Sequence, residues 1–352
     1  MKRLKSLVLA VFALVITAAY AVPAQSASAV SSAALSITPK KNYTIESGKS
    51  IKDKLVVRNL DAQEPLVLSL RVVDFTFTDD GGTPKLMLAE DAPQTTWSLK
   101  PYMTVPKNVT VPPLGTKSLD MSIAIPAGHG AGSYYSAIVY AAGSSEGGNV
   151  GLSASGVSLV FTSIPGKVNE DLKIENFGAY HLAKSGKEAG YAYINTDKPQ
   201  SIAYTLKNNG NVTEAPVGSI TLKNMFGQEQ IISDINPNKS LALIGQTRTF
   251  TACIKLKTAE VEFGGSKSKS TDCTEPDLWP GLYTATLEGF YGQNGNNTKE
   301  LIKTATFWYL PWWFILVMTV IILVAAFYIW KLVKAVRLKM YGPQYKKQTR
   351  RK

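Results

Sequence analysis

The spacing of apolar positions along this chain changes character once, close to its end. Between the N-terminal leader and about residue 308 the apolar positions come in short runs with a period of two. Leu66, Leu68, Leu70 and Val72 alternate with their neighbours, and so do Leu119, Met121, Ile123 and Ile125. Alternation of that kind puts one set of side chains on one face of a strand. Further strands are expected over Leu55–Asn59, Tyr134–Ala142, Val157–Ile164 and Lys299–Trp308. Behind Val72 the alternation slips by one place, to Val73, Phe75 and Phe77, which reads as a β-bulge near Val72–Val73. No stretch keeps a helical apolar face over three turns. Turn-prone clusters such as Asn59–Pro65, Asp79–Gly82 and Gly128–Gly132 separate the strands.

From Trp312 to Trp330 the pattern becomes a continuous apolar run without a charged residue. As a helix it would extend roughly 28 Å, close to the ~30 Å hydrocarbon core of a bilayer. Trp308, Tyr309, Trp312 and Trp313 flank one end and Tyr328 and Trp330 the other, as aromatic rings do at membrane interfaces. Pro311 suits the first turn of such a helix. The last 22 residues carry nine Lys and Arg and no acid, which places them in the cytoplasm by the positive-inside rule. At the other terminus Lys2, Arg3 and Lys5 precede an apolar run, Leu7–Ile16, and then small residues through Ala29. That is the layout of a secretory signal peptide, with cleavage expected after Ala21, after Ala27 or a little beyond.

These readings divide the chain into a signal peptide (1–29), a first immunoglobulin-like β-sandwich (30–165) and a second, membrane-proximal one (166–308). A transmembrane helix (309–330) and a basic cytoplasmic tail (331–352) complete it. The fold class is all-β, two tandem immunoglobulin-like β-sandwich domains followed by one C-terminal transmembrane helix. The localisation expected is the cell membrane, single-pass type I, with the bulk of the chain outside.

A tandem is also visible as an internal repeat. Val57-Arg58-Asn59 has a counterpart in Leu206-Lys207-Asn208, and Gly132-Ser133-Tyr134 in Gly281-Leu282-Tyr283. The separation from Asn59 to Gly132 equals that from Asn208 to Gly281. Gly115-Thr116 pairs with Gly245-Gln246-Thr247, but the second copy holds extra residues, nearly all between Cys253 and Cys273. These two cysteines are the only ones in the chain, and both are exported. A disulfide closing a projecting hairpin or loop follows.

Net charge changes less than it first suggests. The chain is +12, but three basic residues lie in the leader and nine in the tail, and the exported part balances 26 basic against 26 acidic residues. No nucleic-acid footprint remains there. The tail suits anionic lipid headgroups.

Candidate chemistry is sparse. Gly143-Ser144-Ser145-Glu146-Gly147 has the glycines of a hydrolase elbow, but Gly148-Asn149 follows where a helix is required. His129 and His181 read as a loop residue and a packed or surface residue. No calcium-loop spacing occurs, and no metal, cofactor or catalytic set is expected. Asn42, Asn108, Asn211, Asn238 and Asn296 head Asn-x-Ser/Thr triplets. Trp97, Tyr134 and Tyr135 are the aromatics placed to line a ligand face, although strand neighbours point oppositely, so some of them belong to the core.

The first domain resembles that of Gram-positive surface proteins that interact with WxL-domain proteins, the DUF916-type family. The resemblance rests on Ser36-Ile37-Thr38-Pro39, Leu55–Asn59, Val109–Thr116 with the alternation after it, and the Gly-x-Tyr-Tyr-x-Ala-Ile of Gly132–Ile138. In the second domain it rests on Asn208–Val212, Gly218–Leu222 and the Phe307–Trp312 lead into the span. It implies a non-enzymatic protein that binds peptidoglycan and partner surface proteins. An assembly or chaperone-like subunit of a membrane complex is the alternative, and a wall-processing enzyme a less favoured one.

Overall fold

The computed structural model describes residues 35–77, 83–89, 91–142, 154–183, 188–263, 266–292 and 299–341. The leader, the Gly143–Gly147 elbow motif, Asp79–Gly82, Asn296 and the last residues of the tail lie outside them. The first sandwich packs a sheet of β1 (Leu35–Ile37), β3 (Ser50–Asn59), β9 (Thr116–Ala124) and β7 (Met103–Thr104) on a second sheet. That sheet runs β2 (Lys40–Thr44), β11 (Ala154–Ile164), β10 (Gly132–Ala142), β4 (Leu66–Val73) and β8 (Asn108–Val111). A short ribbon of β5 (Phe75–Phe77) and β6 (Pro84–Leu86) extends from it.

The second sandwich has the same plan. One sheet is β13 (Gly190–Tyr191), β12 (Leu172–His181), β15 (Ser201–Asn208) and β18 (Thr247–Cys253). The other is β14 (Ile194–Asn195), β22 (Lys299–Tyr309), β21 (Gly281–Tyr291), β16 (Val217–Asn224) and β17 (Glu229–Ile232). In both sandwiches the opening segment starts in one sheet and then crosses to pair parallel with the last strand of the other, β2 with β11 and β14 with β22. Two immunoglobulin-like sandwiches therefore stand in tandem.

The sequence repeat has an atomic basis. Asn59 and Asn208 are buried at the ends of equivalent strands, and each works as an extra piece of backbone. The Asn59 amide donates to the carbonyls of Glu64 (2.8 Å) and Val111 (3.3 Å), while its oxygen accepts from the Asp61 N–H (2.9 Å). The Asn208 amide donates to Val212 (2.7 Å) and Ala242 (2.9 Å), and its oxygen accepts from Gly210 (2.9 Å). A strand-to-loop corner in the interior needs partners for its carbonyls, and a short amide side chain supplies donor and acceptor together.

The phase slip at Val72–Val73 is not a bulge. β4 pairs with β10 without interruption, from Leu68 opposite Ala142 to Val73 opposite Ala137. What changes is the face that is buried. Leu66, Leu68, Leu70 and Val72 belong to the core between the sheets of the first sandwich, whereas Val73, Phe75 and Phe77 belong to a second cluster on the outside of the same sheet. A register shift does occur, between β10 and β11 at Tyr140/Ala141.

The disulfide agrees with the sequence reading, and the C-terminal helix differs from it in length. The Cys253–Cys273 disulfide is present and closes a true hairpin, β19 (Leu256–Phe263) with β20 (Ser266–Cys273). The C-terminal helix α1 runs Trp312–Tyr341, so it does not stop at Trp330 but continues through the first half of the basic segment. Lys331, Lys334, Arg337 and Lys339 are good helix formers, and no Gly or Pro interrupts them before Gly342-Pro343. Its apolar length is exposed throughout and suffices to cross a membrane.

Two predictions concern stability. Asn59→Ala and Asn208→Ala should each cost about 2 kcal/mol, because each strands buried carbonyls. Urea denaturation of the detergent-solubilised chain checks this, with Asn108→Ala at an exposed position as control. The second concerns acid. Hydrogen bonds from Lys41 and Tyr43, and then from the Lys54 N–H, lower the Asp53 carboxyl to about 2. A depressed carboxylate stabilises above its unfolded value and loses that contribution as pH falls from about 4 toward 2. The side chain is partly exposed, so the loss should be under about 1 kcal/mol. Asp53→Asn should make unfolding midpoints at pH 5 and pH 2.5 differ less than in the parent chain.

Candidate binding surfaces

The outer cluster marks where the sandwiches meet. Val73, Phe75, Tyr135, Ala137, Val139 and Phe161 from the first sandwich pack with Leu243 and Ile244 of the second. β10 therefore runs between two apolar layers, with Ile138 and Tyr140 in the sandwich core and Tyr135, Ala137 and Val139 in the seam. This explains the unbroken apolar run Ala137–Ala142, since a strand covered on both faces has no polar side.

Polar contacts fix the seam in register. The Ser133 N–H donates to the Asn211 carbonyl (2.9 Å), the Asn211 amide to the Ala131 carbonyl (3.0 Å), and the Thr213 N–H to the Ser133 hydroxyl (3.1 Å). Asn211 is thus committed to the seam and is no glycan acceptor in this fold. Arg248 is buried, donates to the Leu241 carbonyl (2.6 Å), and lies between Phe77 of one sandwich and Phe250 of the other at 4.6 and 5.0 Å. Within the first sandwich the buried Asp74 carboxylate accepts from the Ser98 and Ser136 hydroxyls (2.6 and 3.0 Å) and from Thr95. That network holds the loop bearing Trp97 in place.

The seam also revises the ligand-face aromatics. Tyr135 is 1% exposed and is therefore no contact for a ligand. Burial, with the Asp74 charge as a lesser cause, pushes its hydroxyl strongly up. Trp97 is half-buried in the seam, where a side chain at Gly245 would come within 3.1 Å of its ring. Gly245 has φ +71°, which also favours glycine. Tyr134 is half-buried and packs edge-on against His129, 4.6 Å between centroids, and His129 also meets Tyr102, with a 3.0 Å Nε2 contact to its hydroxyl. The three aromatics do not form one surface. Leu243, Ile244 and Arg248 carry no local sequence signal, because the first-sandwich side chains they meet lie roughly 80 to 170 residues away in sequence.

Two clefts remain. One, about 320 Å³, lies in the crook between the sandwiches, lined by Lys40, Tyr43, Ser133, Phe161, Thr213 and Glu214. Lys40 sits 4.9 Å over the Phe161 ring, and burial lowers its pKa. The other, about 910 Å³, lies where the second sandwich meets α1, and His181, Tyr191, Asp197, Lys198, Glu275 and Trp312 contribute to its walls. Burial pushes Tyr191 up to about 12, and Tyr309 is raised by burial and then by Glu275 and Asp197. Beside it Asn195 clasps the helix root. Its amide donates to the Ala192 and Trp308 carbonyls (3.1 Å each), its side-chain oxygen meets His181 Nε2 (2.6 Å), and its backbone carbonyl accepts from Leu310 (2.8 Å). His181 is thereby a structural partner. Among the described residues no group of His, Cys, Asp and Glu is placed to hold a metal ion.

Sheet edges are a third kind of surface. β9 is paired on its outer side by β7 only at Ser122 and Ile123, and its counterpart β18 has no strand beyond it among the described residues. β18 thus offers a seven-residue open edge that ends at Cys253 and the hairpin.

No family model matches the chain, and no curated protein matches it. Solved structures similar to it include the class 5 fimbriae chaperone CfaA, 13% identical over 77% of this chain and 98% of that one, TM-score 0.32. The E. coli chaperone DraB is 11% identical over 76% and 96%, TM-score 0.29. A PapD-like domain of human CEP192 is 10% identical over 39% and 89%, TM-score 0.25. These are neighbours in β-sandwich architecture, and the likeness extends to nothing finer.

Arg248→Ala should uncouple the sandwiches. A single calorimetric unfolding transition in the parent chain is expected to split into two, with the lower midpoint displaced by several degrees.

Proposed function

We propose that this chain is a non-enzymatic, membrane-anchored surface protein that holds a partner protein or the cell-wall polymer against the membrane-proximal sandwich. The observation that carries this reading is the edge of β18, which has no partner strand along any of its seven residues among those described. An unpaired edge can take an extended segment of a partner by strand addition, with backbone hydrogen bonds for affinity. The disulfide-closed hairpin starts at the end of that same edge and suits a role in selecting what binds. The likeness of the sequence to WxL-interacting proteins supports a surface-protein or peptidoglycan ligand. The signal-like leader, the apolar helix and the basic segment support a type I orientation in the cell membrane, with anionic headgroups at the basic end.

A second reading, a subunit of an envelope assembly complex, is favoured by one feature. α1 continues eleven residues beyond Trp330, giving a basic helical extension that a simple tether does not need.

The test uses residues 35–310 as an oxidised soluble protein. β22 runs to Tyr309, and the Leu310 N–H is bonded to Asn195, so an ectodomain cut at Thr306 would lose part of the fold. Saturable binding to purified peptidoglycan or to a surface protein, weakened at least tenfold by a proline at Thr249 or Thr251, is expected. Absence of both ligands from the bound fraction would refute the reading. Replacing 312–352 by an unrelated anchor separates the alternatives, since a tethered binder keeps its activity and a complex subunit loses it.

A further inference from the structure

The end of the second sandwich from which α1 emerges is unusually apolar for a protein surface. The strand register places its parts. Gly281 is opposite Tyr309 and Leu282 opposite Trp308, so the start of β21 lies beside the end of β22. On the other flank Ile194 pairs with Trp308, and the Trp308 N–H donates to the Tyr193 carbonyl (2.7 Å). The β16–β17 turn closes the row, since Asn224 is opposite Tyr283 and the Met225 N–H donates to the Leu282 carbonyl (2.9 Å). The loop before β21 is fixed there too, because the Trp279 N–H and carbonyl both meet the Tyr283 hydroxyl at 2.9 Å. Tyr193, Ile194, Met225, Phe226 and Trp279 therefore form a rim around the root of the helix.

All five are exposed. Phe226 (71%) and Trp279 (68%) are the most exposed large apolar side chains of the described ectodomain. A loop tip in water has no reason to carry Met-Phe, and a loop beside it no reason to carry a bare Trp, unless something apolar covers them.

Chain geometry says what covers them. Tyr309 is the last residue of β22 and α1 starts at Trp312, so only Leu310 and Pro311 lie between. At roughly 3.5 Å per residue that sets the helix start within about 10 Å of the sheet. Pro311 is buried and Leu310 is hydrogen-bonded to Asn195, so the connection is not a hinge. The interfacial zone on one side of a bilayer is about 5–7 Å deep, and Trp and Tyr prefer it. With Trp312 and Trp313 at the hydrocarbon boundary, the rim reaches that zone.

We infer that the rim of Tyr193, Ile194, Met225, Phe226 and Trp279 is a bilayer-docking surface, so that the second sandwich rests on the outer lipid interface with a fixed tilt instead of swinging on its helix. This rests on the membrane-spanning reading of α1, and the occupant it commits to is lipid.

The test uses the full chain in phosphatidylcholine vesicles carrying a photoactivatable diazirine in the upper acyl chain, with labelled peptides located by mass spectrometry. Label is expected in α1 and also in peptides covering 224–228 and 274–280. The Met225→Glu, Phe226→Glu double variant should lower labelling of those two peptides at least fivefold and leave α1 labelling unchanged. Both side chains are exposed, with Met225 resting on Gly281, so the variant has little packing to lose. Label confined to α1 would overturn the docking surface while keeping the span. Absence of label from α1 itself would overturn the span and the inference with it. Rim peptides that stay unlabelled at every protein-to-lipid ratio, yet become shielded from an aqueous diazirine as that ratio rises, would assign the rim to contact between copies and overturn lipid docking.

Discussion

The structure depends on one sheet being buried on both faces. β4, β10 and β11 close the core of the first sandwich with one set of side chains and the seam to the second with the other. Each apolar side chain fully removed from water on the seam face contributes on the order of 1.5–3 kcal/mol. A conventional sandwich spends only its inner face. Here Val73, Phe75, Tyr135, Val139 and Phe161 cover the outer one, and the loop Leu243–Gly245 is held against them. The polar bonds through Ser133, Asn211 and Thr213 then select one relative orientation from the many that apolar contact alone would permit.

That constraint also explains what the sequence reveals and what it hides. Inner-face alternation is plain in Leu66–Val72 and Leu119–Ile125, and the twin asparagines betray the tandem because the same corner must be satisfied twice. The helix is legible from length and flanks alone. The seam left a trace as well, in the slipped phase at Val73 and the unbroken run Ala137–Ala142, but a phase slip has two physical causes. A bulge and a switch of buried face give the same pattern, and only the position of the second sandwich separates them. Tyr135 shows the same limit. A Tyr-Tyr pair on a strand must send one ring each way, and on a sheet with two buried faces neither direction is open solvent.

The surfaces proposed to bind a partner and the bilayer are the least legible. An open β18 edge is defined by a strand that is missing beside it, and no residue of β18 announces that. The rim at the helix root is assembled from three segments far apart in sequence, around Tyr193, Met225 and Trp279, so no single window of sequence shows it. Its parts become one surface only when β14, β22, β21 and β16 are laid side by side.

Rigidity joins these surfaces into one device. A tether that only had to keep a domain on the cell could use a flexible linker, which costs little and tolerates any sequence. This chain instead commits a buried asparagine, Asn195, to clasping the helix root, and commits Arg248, Trp97 and an aromatic layer to locking the outer sandwich on the inner one. Without a hinge at either joint, the direction of α1 sets the direction of the β18 edge and of the crook between the sandwiches. Under the proposed function, that rigidity would present a partner laid along the edge at a defined height and angle above the membrane, and a load on the outer sandwich would pass to the helix without being dissipated in a linker.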